Sequence, residues 1–165
     1  MLFVTVGTHE QPFDRLMREI DCLVGAEIFS DVVVQYGYST LVPEGCRCEA
    51  FLSYAEMLRF YKEADAVVCH GGPSTFLEAM SYGKVPVVVP RLARFGEHVN
   101  DHQLDFCRTF SERVGGIEVV EDIATLGEAI GRVSGAAGDL MSIRSNTARF
   151  CEELGSRVEG LLRHG

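Results

Sequence analysis

Ala64-Asp65-Ala66-Val67-Val68-Cys69-His70-Gly71-Gly72-Pro73-Ser74-Thr75-Phe76-Leu77-Glu78 is the stretch on which the fold turns. Its apolar run, 66–69, is short and rich in valine, the pattern of a strand buried on both faces. Gly71 and Gly72 break the run. Pro73 then stands where a first helical residue needs no N–H, so a helix opens there. The start of a helix presents unpaired amides and the positive end of the macrodipole, and together these attract an anion. Ser74 and Thr75 add hydroxyl donors. Glu78 follows Ser74 by one turn and shares its helix face. A diphosphate on the turn with a ribose under the Glu78 carboxylate fits this spacing. An ordinary capped helix in an α/β protein fits the turn equally well.

Outward from this stretch the same alternation repeats. Upstream, residues 2–6 read as a strand and Gly7–Pro12 as a loop. Residues 13–24 carry Phe13, Leu16, Met17, Ile20, Leu23 and Val24 at helical spacing. Residues 31–36 form a second strand and 46–51 a short third one. Ser53-Tyr54-Ala55-Glu56 is a capping box that starts a helix over 54–62. Downstream, the Pro73 helix stops near Tyr82, ahead of Gly83. Residues 85–90 read as a strand and 91–97 as a polar loop. A helix over 99–114 carries Asn100-Asp101-His102-Gln103 in its first turn. A last strand spans 117–120 and a helix 123–133. Gly135–Gly138 interrupts the pattern, and residues 139–163 read as a closing amphipathic helix. Alternating strands and helices predict an α/β fold, a Rossmann-like parallel sheet with helices on both faces, in one domain over 1–165.

A chain of 165 residues is long enough for one full hydrophobic core. The net charge of −9 excludes a general nucleic-acid surface and a broad electrostatic membrane patch. The sequence enters its first strand with no basic leader, and no apolar run approaches about 20 residues. A cytoplasmic protein with reduced thiols is the expectation. Of the six cysteines, Cys46 and Cys48 fit no common zinc spacing, and the rest sit among apolar neighbours as small core residues.

Three loops fall at the carboxyl ends of strands, where open α/β sheets bind ligands: Gly7–Gln11, His70–Thr75 and Arg91–Gln103. Together they hold glycines, hydroxyls, His9, His98 and His102 beside His70, and the side chains of Arg91, Arg94, Glu97, Asp101 and Gln103, with Glu78 one turn on. Bland readings exist for each. His9 could cap the following helix, and His70 reads more as a structural residue. Glu78 could face water. Asp101 and Gln103 could be an ordinary polar first turn. No Asp-x-Asp pair of the kind metal-dependent transferases use is present.

The order strand, Gly-Gly, helix with Glu78, then strand, Pro90-Arg91, loop and Asp101-His102-Gln103 resembles the nucleotide-sugar half of GT-B glycosyltransferases. More closely it resembles the glycosyltransferase family 28 C-terminal domain. Val4-Thr5-Val6-Gly7-Thr8-His9-Glu10-Gln11-Pro12-Phe13 and Gly96-Glu97-His98-Val99-Asn100-Asp101-His102-Gln103 are similar to the small single-domain members. These are bacterial exopolysaccharide and capsule glycosyltransferase subunits of the PssE/EpsF type, similar in turn to the soluble catalytic subunit of the dolichol-pathway UDP-GlcNAc transferase. The resemblance covers roughly residues 1–130.

That resemblance implies a UDP-sugar donor. Gly7, Thr8, Gly71, Gly72, Ser74 and Thr75 would hold its diphosphate. Glu78 would bind the ribose, Arg91 would stand on the phosphate or uracil side, and Asp101, His102 and Gln103 would face the sugar. His9 is the candidate base for an inverting transfer. The resemblance implies no metal and no cofactor beyond the donor. It also implies a second, membrane-associated Rossmann-like subunit that supplies the acceptor wall and holds this chain at the inner face of the membrane. The acceptor would be a sugar on a polyprenyl diphosphate. A non-catalytic nucleotide-sugar-binding activator and a UDP-sugar epimerase-like protein are the alternatives.

Overall fold

The computed structural model describes residues 1–135. The closing helix expected over 139–163 lies outside the described residues. Strands β1 (Leu2–Thr5), β2 (Val32–Gln35), β3 (Arg47–Glu49), β4 (Ala66–His70), β5 (Val87–Val89) and β6 (Glu118–Val119) form one sheet. Its order is β3-β2-β1-β4-β5-β6, and every pairing is parallel. Helices α1 (Asp14–Gly25), α2 (Tyr54–Glu63), α3 (Pro73–Ser81), α4 (His102–Arg113) and α5 (Leu126–Gly135) connect or follow them. This is a doubly wound Rossmann-like sheet.

Alternation along the strands divides the core between two faces. Val4, Val34, Val68, Val87 and Val89 point toward Leu16, Met17 and Ile20 of α1 and Leu126, Ala129 and Ile130 of α5. Phe3, Val33 and Val67 point the other way, against Phe60 and Tyr61 of α2 and Ala79 of α3. Cys69 and Val88 meet Phe76, Cys107 and Phe110 beside them. All these side chains are buried, as strands covered on both faces require.

The local start and stop signals hold for α2 and α3. Ser53 Oγ accepts from the Glu56 amide, and the Glu56 carboxylate accepts from the Ser53 amide. Pro73 is the first residue of α3, and Gly83 takes φ +72° just beyond its end. The expected start of α4 is corrected from 99 to His102. Asn100 Oδ1 accepts from the His102 amide, and the Asp101 carboxylate accepts from the Ala93 amide at 2.8 Å. Asn100 therefore caps the first amide of the helix from two residues before it, while Asp101 ties the helix start to the preceding loop. Residues 93–95 form a single 3-10 turn within the expected loop.

Candidate functional site

The strand order reverses between β1 and β4, so the loops leaving these two strands diverge and open a crevice at their carboxyl ends. A cleft of about 580 Å³ occupies that place. Gly7, Thr8 and His9 line it from β1, and His70, Ser74 and Thr75 from β4 and α3. Thr5 and Gln35 form the floor. Leu52, Tyr54 and Met57 form an apolar wall, and Gln103 reaches in from α4. A roomier depression elsewhere on the molecule is lined by Asp21, Glu27 and Glu44 among others, and these carboxylates repel an anion.

His70 lines the cleft between the two glycine loops. Its ring is buried and occupies the space beside both glycine loops. A Cβ on Gly7 would stand 2.6 Å from His70 Cε1, and one on Gly72 would stand 2.4 Å from Nε2. Gly72 has φ −75°, so its glycine is required by the imidazole and not by the backbone. His70 Nδ1 is buried without a partner. An unpaired buried N–H is costly, and we therefore assign the proton to Nε2, the atom beside Gly72. His70, read from the sequence as structural, is buried and also lines the cleft.

Burial, then the nearby Arg91, His9 and His98, pushes His70 down to about 4. The unfolded chain takes up this proton near pH 6.5, the folded chain only near 4. The contribution of His70 to stability is thus flat above about pH 7 and falls as pH drops through this window, by up to ~3 kcal/mol. Urea unfolding between about pH 7 and about pH 4.5 should show this slope, and His70→Gln should remove its share.

Gln103 joins two loops. Its Oε1 accepts from the Gly71 amide and from the Arg91 amide, each at 3.1 Å. A Cβ on Gly71 would press on Gln103 Cβ at 3.0 Å. The carboxamide oxygen is thereby committed and the NH₂ group remains on the cleft side. Thr5 Oγ1 donates to Gln35 Oε1 at 2.5 Å and accepts from the Gly7 amide, which fixes the floor under the glycine loop.

His9 stacks on His98 with ring centroids 4.9 Å apart. Its Nε2 lies 2.9 Å from Gln11 Oε1. With that nitrogen donating, Nδ1 carries the free lone pair. His9 does not cap α1, whose start has no side-chain cap. His98 precedes α4 and pairs with His9, so it does not share a helix face with His102.

Arg91 is the largest correction. It does not face the cleft. Its side chain is fully buried. Nη1 donates to the carbonyls of Gln11 at 2.8 Å, Glu97 at 3.3 Å and Pro12 at 3.4 Å, and Nη2 to Val6 at 3.0 Å. The guanidinium also lies 4.6 Å from the Phe13 ring centroid. It is a bracket between the β1 and β5 loops. Its companion Glu97 is also buried: it accepts from Arg15 Nε and Nη2 at 2.9 Å each and from the Leu92 amide at 3.0 Å.

Asp101 and His102 are exposed at the rim, and neither lines the cleft. Glu78 is half-buried on α3, one turn beyond Ser74, and accepts no hydrogen bond from the described residues. None of the cleft-lining residues is a lysine or an arginine. An anion there meets the first turn of α3 and neutral donors.

The family model of the glycosyltransferase family 28 C-terminal domain matches residues 1–132. The UDP-N-acetylglucosamine--N-acetylmuramyl-(pentapeptide) pyrophosphoryl-undecaprenol N-acetylglucosamine transferase of Bdellovibrio bacteriovorus is 28% identical over 94 residues, 57% of this chain and 25% of that protein. The UDP-N-acetylglucosamine transferase subunit ALG13 of Mus musculus is 33% identical over 116 residues, 64% of this chain and 9% of that protein. Among solved structures, the glycosyltransferase SnogD from Streptomyces nogalater superposes with a TM-score of 0.63 at 18% identity, over 97% of this chain and 43% of that one. The chain thus spans less than half the length of each of these three proteins.

Proposed function

The chain belongs to the glycosyltransferase family 28 C-terminal domain family, and from that premise we propose that it is the donor-binding half of a UDP-sugar-dependent glycosyltransferase. It transfers a hexose or an N-acetylhexosamine. The observation that carries this reading is the cleft at the strand-order reversal, where the α3 start, His70 and Gln103 converge as neutral donors. The diphosphate lies against Gly71, Gly72, Ser74 and Thr75 on one side and Gly7 and Thr8 on the other. Helix amides and neutral donors carry its charge, with no metal ion. Glu78 accepts from the ribose hydroxyls, and the Leu52–Met57 wall takes the base. Asp101 and His102 stand on the sugar's outer side, and Gln103 on its inner side.

In the reaction the acceptor oxygen bonds to the anomeric carbon from the face opposite the diphosphate. The bond to the diphosphate breaks, and UDP leaves with the electron pair. His9 Nδ1 takes the acceptor's proton. The configuration at the anomeric carbon inverts.

The second wall of the cleft comes from a membrane-associated Rossmann-like partner subunit, which also holds this chain at the inner face of the membrane. The acceptor is a sugar on a polyprenyl diphosphate, in the setting of exopolysaccharide synthesis. Two relatives support this part by their names: one transfers to a pyrophosphoryl-undecaprenol, the other is a subunit. No helix among the described residues is long and apolar enough to cross a membrane.

The test is calorimetric titration with UDP, followed by transfer to a lipid-linked sugar by the co-expressed pair. Glu78→Ala should weaken UDP binding by about 1.5–3 kcal/mol, roughly ten- to a hundredfold. His9→Ala should lower transfer by about 10²–10⁴ while UDP affinity stays unchanged. An unaltered rate in His9→Ala moves the base to the partner and favours the activator reading. Conversion of UDP-N-acetylglucosamine to an epimer favours the epimerase reading. Absence of both UDP binding and transfer sinks the proposal.

A further inference from the structure

Cys46 and Cys48 lie far from the strand-order reversal, at the β3 edge of the sheet. One residue apart, they point to the same side, as alternate residues of an extended segment do. Their Sγ atoms are 3.5 Å apart. Both thiols point at one acceptor, the Pro43 carbonyl, at 3.8 and 3.4 Å. Both are half-buried, and both are free. The donor cleft uses neither.

Burial raises both thiols, and Cys48 is pushed up to about 12 by burial, then by its neighbour Cys46, Glu49 and Asp21. At neutral pH the pair is therefore not a thiolate nucleophile and exchanges slowly with disulfides. What it offers is a fixed bite. With a bond of about 2.3 Å from sulfur to a central atom, a sulfur separation of 3.5 Å gives an S–X–S angle of about 100°. A linear two-coordinate ion would need ~4.6 Å, and tetrahedral zinc ~3.8 Å with further ligands. No group of three or more His, Cys, Asp or Glu able to hold a metal occurs among the described residues. An angle near 100° suits a pyramidal trivalent centre. The negative charge of Asp21, close enough to act on both thiols, favours an electropositive atom there.

We propose that Cys46 and Cys48 form a chelating dithiol site for trivalent arsenicals. Binding is a ligand exchange without oxidation. For a monosubstituted arsenous acid, two S–H groups and two As–OH groups give two As–S bonds and two waters, each thiol proton leaving with a hydroxyl. Because the sulfurs already sit at the required separation, chelation needs no movement of β3.

The probe is phenylarsine oxide on the full chain. Intact mass should show one chelated phenylarsenic per chain that survives 2-mercaptoethanol and is removed by 2,3-dimercaptopropanol. The exposed Cys22 supplies the internal contrast, since a single thiol gives an adduct that a monothiol reverses. Cys46→Ser and Cys48→Ser should each weaken retention by about a hundredfold, the loss of an intramolecular second bond. Cys46→Ala and Cys48→Ala should do the same, which separates lost chelation from any effect of a buried hydroxyl. Cys22→Ser should leave the chelate intact. UDP titration of the arsenical adduct should match that of the free protein. A dithiol-specific adduct persisting in either Cys46 or Cys48 variant, or a wild-type adduct fully reversed by the monothiol, overturns the proposal.

Discussion

Arg91→Met should lower the free energy of unfolding by about 3–5 kcal/mol, the range for removing one partner from a buried charged network. Methionine is apolar and flexible enough to occupy much of the space. It cannot replace the donors. The carbonyls of Val6, Gln11, Pro12 and Glu97 lose the guanidinium that serves them; the bonds to Val6 and Glu97 are buried, and an unsatisfied buried acceptor costs about 1–3 kcal/mol. Relief from burying the guanidinium, whose proton affinity burial already pushes down to about 10, offsets part of the sum. For a domain of this size the melting temperature should fall by roughly 10 °C. Arg91→Lys should recover less than half of the loss, because one ammonium cannot span carbonyls from three segments as a planar fork does. Thermal melts and UDP titrations of the same variants separate two roles. A phosphate ligand on the cleft surface would lose affinity and keep its melting temperature. The bracket loses melting temperature first, and affinity only as the Gly7–His9 loop slackens. An unchanged melting temperature in Arg91→Met would contradict the assignment.

The contrast between Arg91 and Pro73 shows what the sequence makes legible. Pro73, the Gly83 stop and the Ser53–Glu56 box act within one turn of the chain, so their geometry is readable from spacing alone. The parallel sheet was legible for a similar reason, since valine-rich runs alternating with helical periods admit few other arrangements. Arg91 follows a strand just as a ligand-binding residue would. Three of its four carbonyl partners, however, lie some 80 residues away, at the end of β1 and in the loop after it, and nothing local announces them. Glu97 escaped for the same reason, since Arg15 meets it across 82 residues. The start of α4 was misplaced because Asn100 and Asp101 are good helix-start residues. Here Asn100 caps the His102 amide from outside the helix, and Asp101 bonds back to Ala93, so the helix opens three residues later than expected. For the glycines the position was legible and the cause was not. A Gly-Gly turn suggests a backbone need, yet at Gly72 the need is room for an imidazole.

Gly72→Ala should reduce UDP affinity by at least about a hundredfold, approaching 3 kcal/mol, while the chain stays folded. Alanine suits the φ of −75°, so no backbone strain arises. The whole effect comes from a Cβ placed 2.4 Å from His70 Nε2. The ring cannot retreat toward Gly7, because the space there is equally tight: a Cβ on Gly7 would lie 2.6 Å from Cε1. His70 must leave its rotamer or push the α3 start outward, and overpacking of this kind costs about 1–3 kcal/mol. The double variant His70→Ala/Gly72→Ala distinguishes two consequences. Removing the ring clears the clash, so stability should rise above that of Gly72→Ala alone. Affinity should stay low, because the Nε2–H donor is gone and the diphosphate has no lysine or arginine in the cleft to replace it. If affinity returns along with stability, His70 only fills space and the amides of α3 suffice. Gly7→Ala provides the control for backbone strain. Its φ of +73° is left-handed, so alanine there costs roughly 1–2 kcal/mol beyond the clash. Adding His70→Ala should therefore rescue Gly7→Ala less completely than Gly72→Ala, and that inequality in melting temperature tells which glycine answers to the backbone and which to the imidazole.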